Sequence, residues 1–201
     1  MSRILHIDFS PRGERSHSRR LSKEFVDRWV TTNPGTKVVY RDAGRDVIPA
    51  IDESWISAAF TPEAKRTLAM KETLALSDEL VDEVLAADVL VLGVPMYNFG
   101  VPAPMKAWID QIIRVGRTFA VPEFRGLANG KKVFVLMSAG QAYEPGNTAD
   151  FVVPFVRQVF GFIGITDVEV IRYVDHRDAA KSSQSLAAAR ERMDEVLQVA
   201  A

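Results

Sequence analysis

The sequence predicts a doubly wound α/β fold on a five-stranded parallel sheet. Three observations carry this: five short runs of aliphatic and β-branched residues, stretches of helical length and period between them, and near-continuous apolar strands such as Val89 to Val94. A strand apolar on both faces must be covered on both faces, and helices between parallel strands supply that cover.

Ile4 to Phe9 is the first strand, stopped by Ser10-Pro11-Arg12-Gly13. Ser18 to Val30 has helical period, and Lys37 to Tyr40 is the second strand. Ala43 to Phe60 mixes Gly, Pro and Asp with exposed-looking apolar residues such as Trp55 and Ile56, and reads as a long connection with a short helix. Pro62 to Leu85 is the next helix, followed by the third strand, Val89 to Val94. Ala103 to Arg114 is helical, Lys132 to Met137 is the fourth strand, Asp150 to Phe160 is helical, Val168 to Tyr173 is the fifth strand, and Ala180 to Val199 is a final helix. In open parallel sheets ligands sit beyond the carboxyl ends of the strands where strand order reverses. The site is therefore expected in the loops after strands one, three and four.

Composition sets the outer bounds. A length of 201 residues suits one domain, 1–201, and 47% hydrophobic with 25% charged residues is the balance of a soluble globular chain. Twenty-five basic against twenty-six acidic residues leave a net charge of -1, so no global field recruits nucleic acid or an anionic membrane, and a small-molecule partner is expected. The lack of cysteine excludes disulfides, thiolate metal sites and thiol nucleophiles. The amino terminus is too short for a signal-peptide core, no apolar run approaches the roughly 20 residues that span a bilayer, and a cytoplasmic location is expected.

The loop after the first strand places Ser10, Ser16 and Ser18 within nine residues, at the start of a helix. Free N–H groups and the positive end of the helix dipole favour an anion there, and hydroxyls add short donors. Arg12, Arg15, Arg19 and Arg20 concentrate positive charge that an anion would relieve; the plainer reading is an N-cap serine with solvated arginines. Neither a G-x-x-x-x-G-K-[ST] loop nor a G-x-G-x-x-G turn follows the strand, so a monophosphate is expected rather than a nucleoside triphosphate or a dinucleotide. Gly161-Phe162-Ile163-Gly164 follows a helix and is not that fingerprint.

Pro95-Met96-Tyr97-Asn98-Phe99-Gly100 puts apolar and aromatic side chains where polar turn residues are usual, as a flat apolar ligand would require. The alternative is a core edge followed by a helix that Pro102 and Pro104 begin. Ser138-Ala139-Gly140-Gln141-Ala142-Tyr143 is small enough for close backbone approach and forms the third wall of the same crevice.

These residues resemble the FMN-dependent NAD(P)H azoreductases, which are also quinone reductases of the flavodoxin-like class. The resemblance covers nearly the whole chain and rests on Ser10, Ser16-His17-Ser18, Ala87 through Phe99, the Ser138 loop, and Gly161 through Val168. It implies a flavodoxin-like sheet of order 2-1-3-4-5, bound FMN, and NADH or NADPH as hydride donor to a quinone or azo acceptor. Ser10, Ser16, His17 and Ser18 would hold the phosphate. Pro95, Met96, Tyr97, Asn98 and Phe99 would line the ring, and Ser138, Ala139, Gly140 and Gln141 its far edge. The Ser138 loop departs from the Ser-Arg-Gly-Gly of better-known members, and Phe119 to Gly130 is shorter than theirs.

The flavin carries the chemistry in such enzymes, so no residue is assigned as an essential acid or base. The resemblance implies that hydride would pass from the nicotinamide to the ring, and then to an acceptor on the same face, in a ping-pong scheme. Phe151 to Phe162 is apolar nearly all round and must bury a second face. A homodimer is expected, as in the family, with Phe162 reaching the partner's flavin site and Phe119 beside it; an interior helix under 43–60 is the alternative. His6, His17 and His176 lack metal-ligand spacing, and Ser138 is not in a G-x-S-x-G elbow. A non-catalytic FMN electron carrier would share the phosphate loop, but such carriers are usually strongly acidic. A response-regulator receiver needs an aspartate where this chain has Pro95-Met96.

Overall fold

Strand β3 (Val89–Pro95) has every side chain buried, and it sits in the middle of the sheet. It pairs in parallel with β1 (Arg3–Asp8), Leu5 opposite Leu90, and with β6 (Lys132–Ser138), Val91 opposite Phe134. Strand β2 (Lys37–Arg41) adds to the far side of β1, and β7 (Asp167–Tyr173) to the far side of β6. The spatial order is therefore β2-β1-β3-β6-β7, all parallel, which is the order 2-1-3-4-5 in sheet strands. The computed structural model describes residues 2–142 and 148–200.

Successive side chains of a strand point to opposite faces, and the two faces carry separate cores. Ile4, Val89, Val91, Phe134 and Leu136 meet α1 (His17–Thr32) and α6 (Ala179–Ala200) through Leu21, Phe25, Trp29 and Met193. Leu5, Ile7, Leu90, Leu92, Val133 and Val135 meet α3 (Leu68–Ala86), α4 (Ala103–Ile112) and α5 (Val152–Phe162) through Leu80, Val84, Trp108 and Phe160. Helix α2 (Glu53–Phe60) packs on α3 in a smaller cluster of Trp55, Ala58, Ala59 and Leu74. No helix among the described residues is long and apolar enough to cross a membrane.

Several boundaries differ from the sequence expectation, each for a local reason. Helix α3 starts at Leu68 rather than Pro62, because Thr67 takes the cap by accepting the Met70 N–H and a short 3₁₀ turn fills Glu63–Lys65. Helix α4 stops at Ile112, two residues short of Arg114: the Thr118 hydroxyl donates to the Ile112 carbonyl and accepts the Arg114 N–H. Trp55 is buried, not exposed, because its indole N–H donates to Gln111 of α4 at 2.8 Å. A two-stranded antiparallel hairpin, β4 (Phe119–Ala120) with β5 (Arg125–Gly126), lies within 119–130, where no strand was expected.

The Gly161 to Gly164 segment is a helix stop. Ile165 N–H donates to Phe160 O and Gly164 N–H to Gly161 O, while Gly164 sits at φ +98°. This is the Schellman arrangement, with glycine at the left-handed position. Gly126 of β5 meets the same turn so closely that a Cβ there would lie 2.6 Å from the Gly164 Cα.

Candidate active site

The carboxyl ends of β1, β3 and β6 face one edge of the sheet, and their loops build the site. After β1 the chain makes a 3₁₀ turn at Gly13–Arg15 and enters α1 through Ser16, whose hydroxyl accepts the Arg19 N–H at 3.4 Å. Ser16 Oγ lies 3.1 Å from Ser18 Oγ. Ser10, Ser16 and Ser18 are 0%, 2% and 0% exposed. Burying three hydroxyls around the first turn of a long helix gathers donors where the dipole already favours an anion. Ser16 is thus an N-cap and a member of the cluster together.

Ser10 joins this loop to the next. Its Oγ is 3.4 Å from both the Tyr97 hydroxyl and the Arg12 N–H. Tyr97 and Gly100 exchange N–H to carbonyl bonds at 3.1 Å, closing a turn in which Asn98 and Phe99 have φ +49° and +69°. Positive φ at a bulky residue such as Phe99 is uncommon and strained, and such strain concentrates at functional sites. Phe99 is 52% exposed and its carbonyl accepts the Phe151 N–H. Pro95 ends β3 opposite Ser138, and Met96 N–H donates to the Ser138 carbonyl, so the third and fourth loops start from one register. Ser138 and Ala139 are buried, whereas Gly140 and Gln141 are exposed. Ala142 N–H donates to Asp175 Oδ1, and Tyr143 lies outside the described residues.

His17 leans to the last strand's loop. Its ring stacks on His176 at 3.9 Å, with Tyr173 edge-on to both, and Arg20 lies 2.9 Å from its Nδ1. Burial, then the charges of Arg20 and Arg12, lower the His17 pKa. Burial and the neighbouring His17 push His176 down to about 4, against the opposing pull of Asp175.

One expectation needs correction. Arg19 does not add to the positive charge that Arg12, Arg15 and Arg20 concentrate at the helix start; it turns inward and is buried. Its guanidinium meets Asp42 through both Nη atoms, donates to the Tyr40 hydroxyl at 2.9 Å and to the Ser10 carbonyl at 2.7 Å, and lies 3.8 Å from Asp8 Oδ2. Burial works against its charge, but Asp42 and Asp8 outweigh it and raise its pKa. Asp8 also accepts from Ser22, which is 3.0 Å from His6 Nε2. Burial and Asp8 push the Tyr40 phenol up to about 12, so it stays a donor. Sequence reading missed this network; its trace was a carboxylate at the end of β1 and another just after β2.

Phe119 and Phe162 are brought together, ring centroids 4.9 Å apart, but away from the serine cluster. They line an apolar groove of ≈ 520 Å³ with Trp55, Ile109, Phe155 and Val159. Among the described residues no group of three or more His, Asp or Glu could hold a metal ion.

A family model described as the flavodoxin-like fold matches residues 2–197. The FMN-dependent NADH:quinone oxidoreductase of Nostoc punctiforme is 49% identical over 94% of this chain and 95% of its own. The FMN-dependent NAD(P)H:quinone oxidoreductase 1 of Pseudomonas aeruginosa is 45% identical over 85% of this chain and 86% of its own. A crystal structure of azoreductase from Bacillus anthracis superposes with a TM-score of 0.88 at 25% identity, covering 98% of this chain and 99% of that one. With the sheet order, the serine cluster and the strained aromatic turn in place, the chain belongs to the flavodoxin-like family of FMN-dependent NADH:quinone oxidoreductases.

Proposed function

We propose that this chain, folding as one domain, holds FMN across the carboxyl edge of its sheet and moves hydride from NADH or NADPH to quinones and azo compounds in ping-pong half-reactions. The observation that carries this is the gathering of three buried hydroxyls, Ser10, Ser16 and Ser18, at the amino end of a 16-residue helix. A monophosphate suits that donor set, being small, doubly charged and rich in acceptor oxygens. The bound flavin supplies the hydride chemistry; the protein supplies position and electrostatics.

Ser10, Ser16, His17 and Ser18 hold the phosphate in this reading. Pro95, Met96, Tyr97, Asn98 and Phe99 border the ring. Because the N–H groups of Met96 and Tyr97 are engaged by Ser138 and Gly100, donation from this loop to the ring's polar edge falls to Asn98 and Phe99. Ser138, Ala139, Gly140 and Gln141 form the far wall. No side chain acts as an essential acid or base, and the exposed Phe99 ring shields the crevice from water.

A homodimer belongs to the same proposal. The groove that Phe119, Phe155, Val159 and Phe162 line is apolar, and Phe60 at its margin is 68% exposed. A second copy seated there would bury it, with Phe162 and Phe119 then bordering the partner's acceptor pocket. Residence in the cytoplasm, where reduced nicotinamide is at hand, completes the reading.

Purified protein is expected to be yellow; anaerobic NADH is expected to bleach it and a quinone to restore the colour. Colourless protein with no affinity for added FMN overturns the proposal. Bound flavin that neither NADH nor NADPH bleaches favours a non-catalytic electron carrier instead.

A further inference from the structure

We infer that Arg19 is the positioning residue of the phosphate cradle, locked in place by Asp42 and acting through the Ser10 carbonyl. The inference rests on the reading of Ser10, Ser16 and Ser18 as that cradle. It concerns a residue that touches no cofactor itself.

Ser10 presents two oxygens to two sides. Its hydroxyl is directed to Tyr97 and the Arg12 N–H, within the cradle. Its carbonyl accepts the Arg19 Nε–H at 2.7 Å. The peptide that follows leads into Pro11 and has no N–H, so this unit offers an anion only the negative end of its dipole. A carbonyl free to turn toward a phosphate would repel it. Arg19 holds that carbonyl down.

The lock comes from the loop after β2. Both carboxylate oxygens of Asp42 engage the two Nη atoms of Arg19, a fork that a guanidinium matches and an ammonium does not. Tyr40 and Asp8 complete the enclosure, at 2.9 Å and 3.8 Å. Two carboxylates around one guanidinium consume its charge, so Arg19 serves as a clamp and not as the counter-ion of the phosphate. The same loop presses on Ser10 directly: Gly44 N–H donates to the Asp8 carbonyl, and a Cβ on Gly44 would lie 2.5 Å from the Ser10 carbonyl carbon and 2.8 Å from its nitrogen. Gly93 makes room beneath, since a Cβ there would collide with Asp8 Oδ1 and come within 2.9 Å of Ser22 Oγ. Two separate elements, the loop after β2 and strand β3, thus leave space around this clamp.

The experiment separates phosphate recognition from ring recognition. Protein stripped of flavin is titrated with FMN and with riboflavin, following quenching of flavin fluorescence, for the unaltered chain, Arg19→Lys and Asp42→Asn. Arg19→Lys keeps the charge but loses the fork, and is expected to weaken FMN binding about tenfold while riboflavin binding moves less than about twofold. Asp42→Asn is expected to do the same to a smaller degree. Its side chain is partly exposed, so it keeps the question open to measurement should Arg19→Lys fail to fold. Equal losses for FMN and riboflavin, or no loss for either, overturn the inference. An unaltered chain that binds the two flavins equally overturns the phosphate reading beneath it.

Discussion

At the scale of single residues, the site concentrates conformations and protonation states that folding alone does not favour. Phe99 holds φ +69° in the turn closed by Tyr97 and Gly100, a conformation that costs a bulky L-residue about 1 kcal/mol or more. Phe99→Gly is expected to raise unfolding stability by about 1 kcal/mol in urea titrations while lowering kcat/KM for quinone reduction, since relief of strain and loss of the aromatic wall fall on the same position. His176 carries a second consequence. Its pKa is pushed from 6.5 to about 4 by burial and by His17, with Arg20 and Arg12 adding to the effect and Asp175 opposing it. The unfolded chain therefore binds a proton before the folded one does, so stability is full above pH 6.5 and is lost as pH falls toward 4. Discounted for the screening at a partly exposed ring, the loss is about 2 kcal/mol. His176→Asn is expected to flatten the dependence of the melting temperature on pH across that window; an unchanged slope would assign the loss to other groups.

At the scale of elements, what could be read from the sequence was what local pattern encodes. The three inner strands were legible because they are apolar on both faces for most of their length, as β3 shows with seven buried residues in succession, and the edge strands β2 and β7 because they are short runs rich in β-branched residues. The serine cluster was legible because its members lie within nine residues of one another. Features that depend on a distant partner were not. Arg19 read as one of four arginines concentrating positive charge at the helix start, and Asp42, which β2 brings alongside, together with Asp8 and the Ser10 carbonyl draws it inward. Trp55 read as exposed because its partner, Gln111, is 56 residues away. The β4–β5 hairpin has two residues per strand, too few to show a period. The Gly161 to Gly164 motif read as following a helix, and it ends α5. Gly164→Ala would force a Cβ to 2.6 Å from Asn129 Oδ1 at φ +98°, and is expected to cost about 1–2 kcal/mol, read as a lower urea midpoint at unchanged slope.

At the scale of the whole molecule, both sheet faces leave a groove, and the two differ in chemistry. On the α1 and α6 face, Leu21, Phe25, Trp29 and Met193 cover the middle of the sheet, while α1 and β2 border a groove of ≈ 960 Å³ in which Val26, Val30 and Val38 stand beside Asp8, Arg19 and Asp42. On the other, α2, α4 and α5 leave between them a groove of ≈ 520 Å³ whose lining is apolar apart from Lys106, Asp110 and Gln158. Exposed apolar area of this kind carries a standing cost in water of about 25 cal/mol per Å², which a matching surface removes. Helix α5 faces the groove with Phe155, Val159 and Phe162 while burying Val152, Val156 and Phe160 beneath, which answers why its sequence is apolar nearly all round. Phe60 stands at the rim and contributes little to the monomer's own core, so Phe60→Asp tests the surface without dismantling the fold. If a second copy covers the groove, the unaltered chain sediments as a dimer and Phe60→Asp shifts it toward monomer, with the far-ultraviolet spectrum unchanged. Quinone reductase activity should then fall with dilution through the same concentration range, because Phe162 and Phe119 would serve the partner's site and not their own. Full activity in a sedimenting monomer would return both residues to a purely structural role.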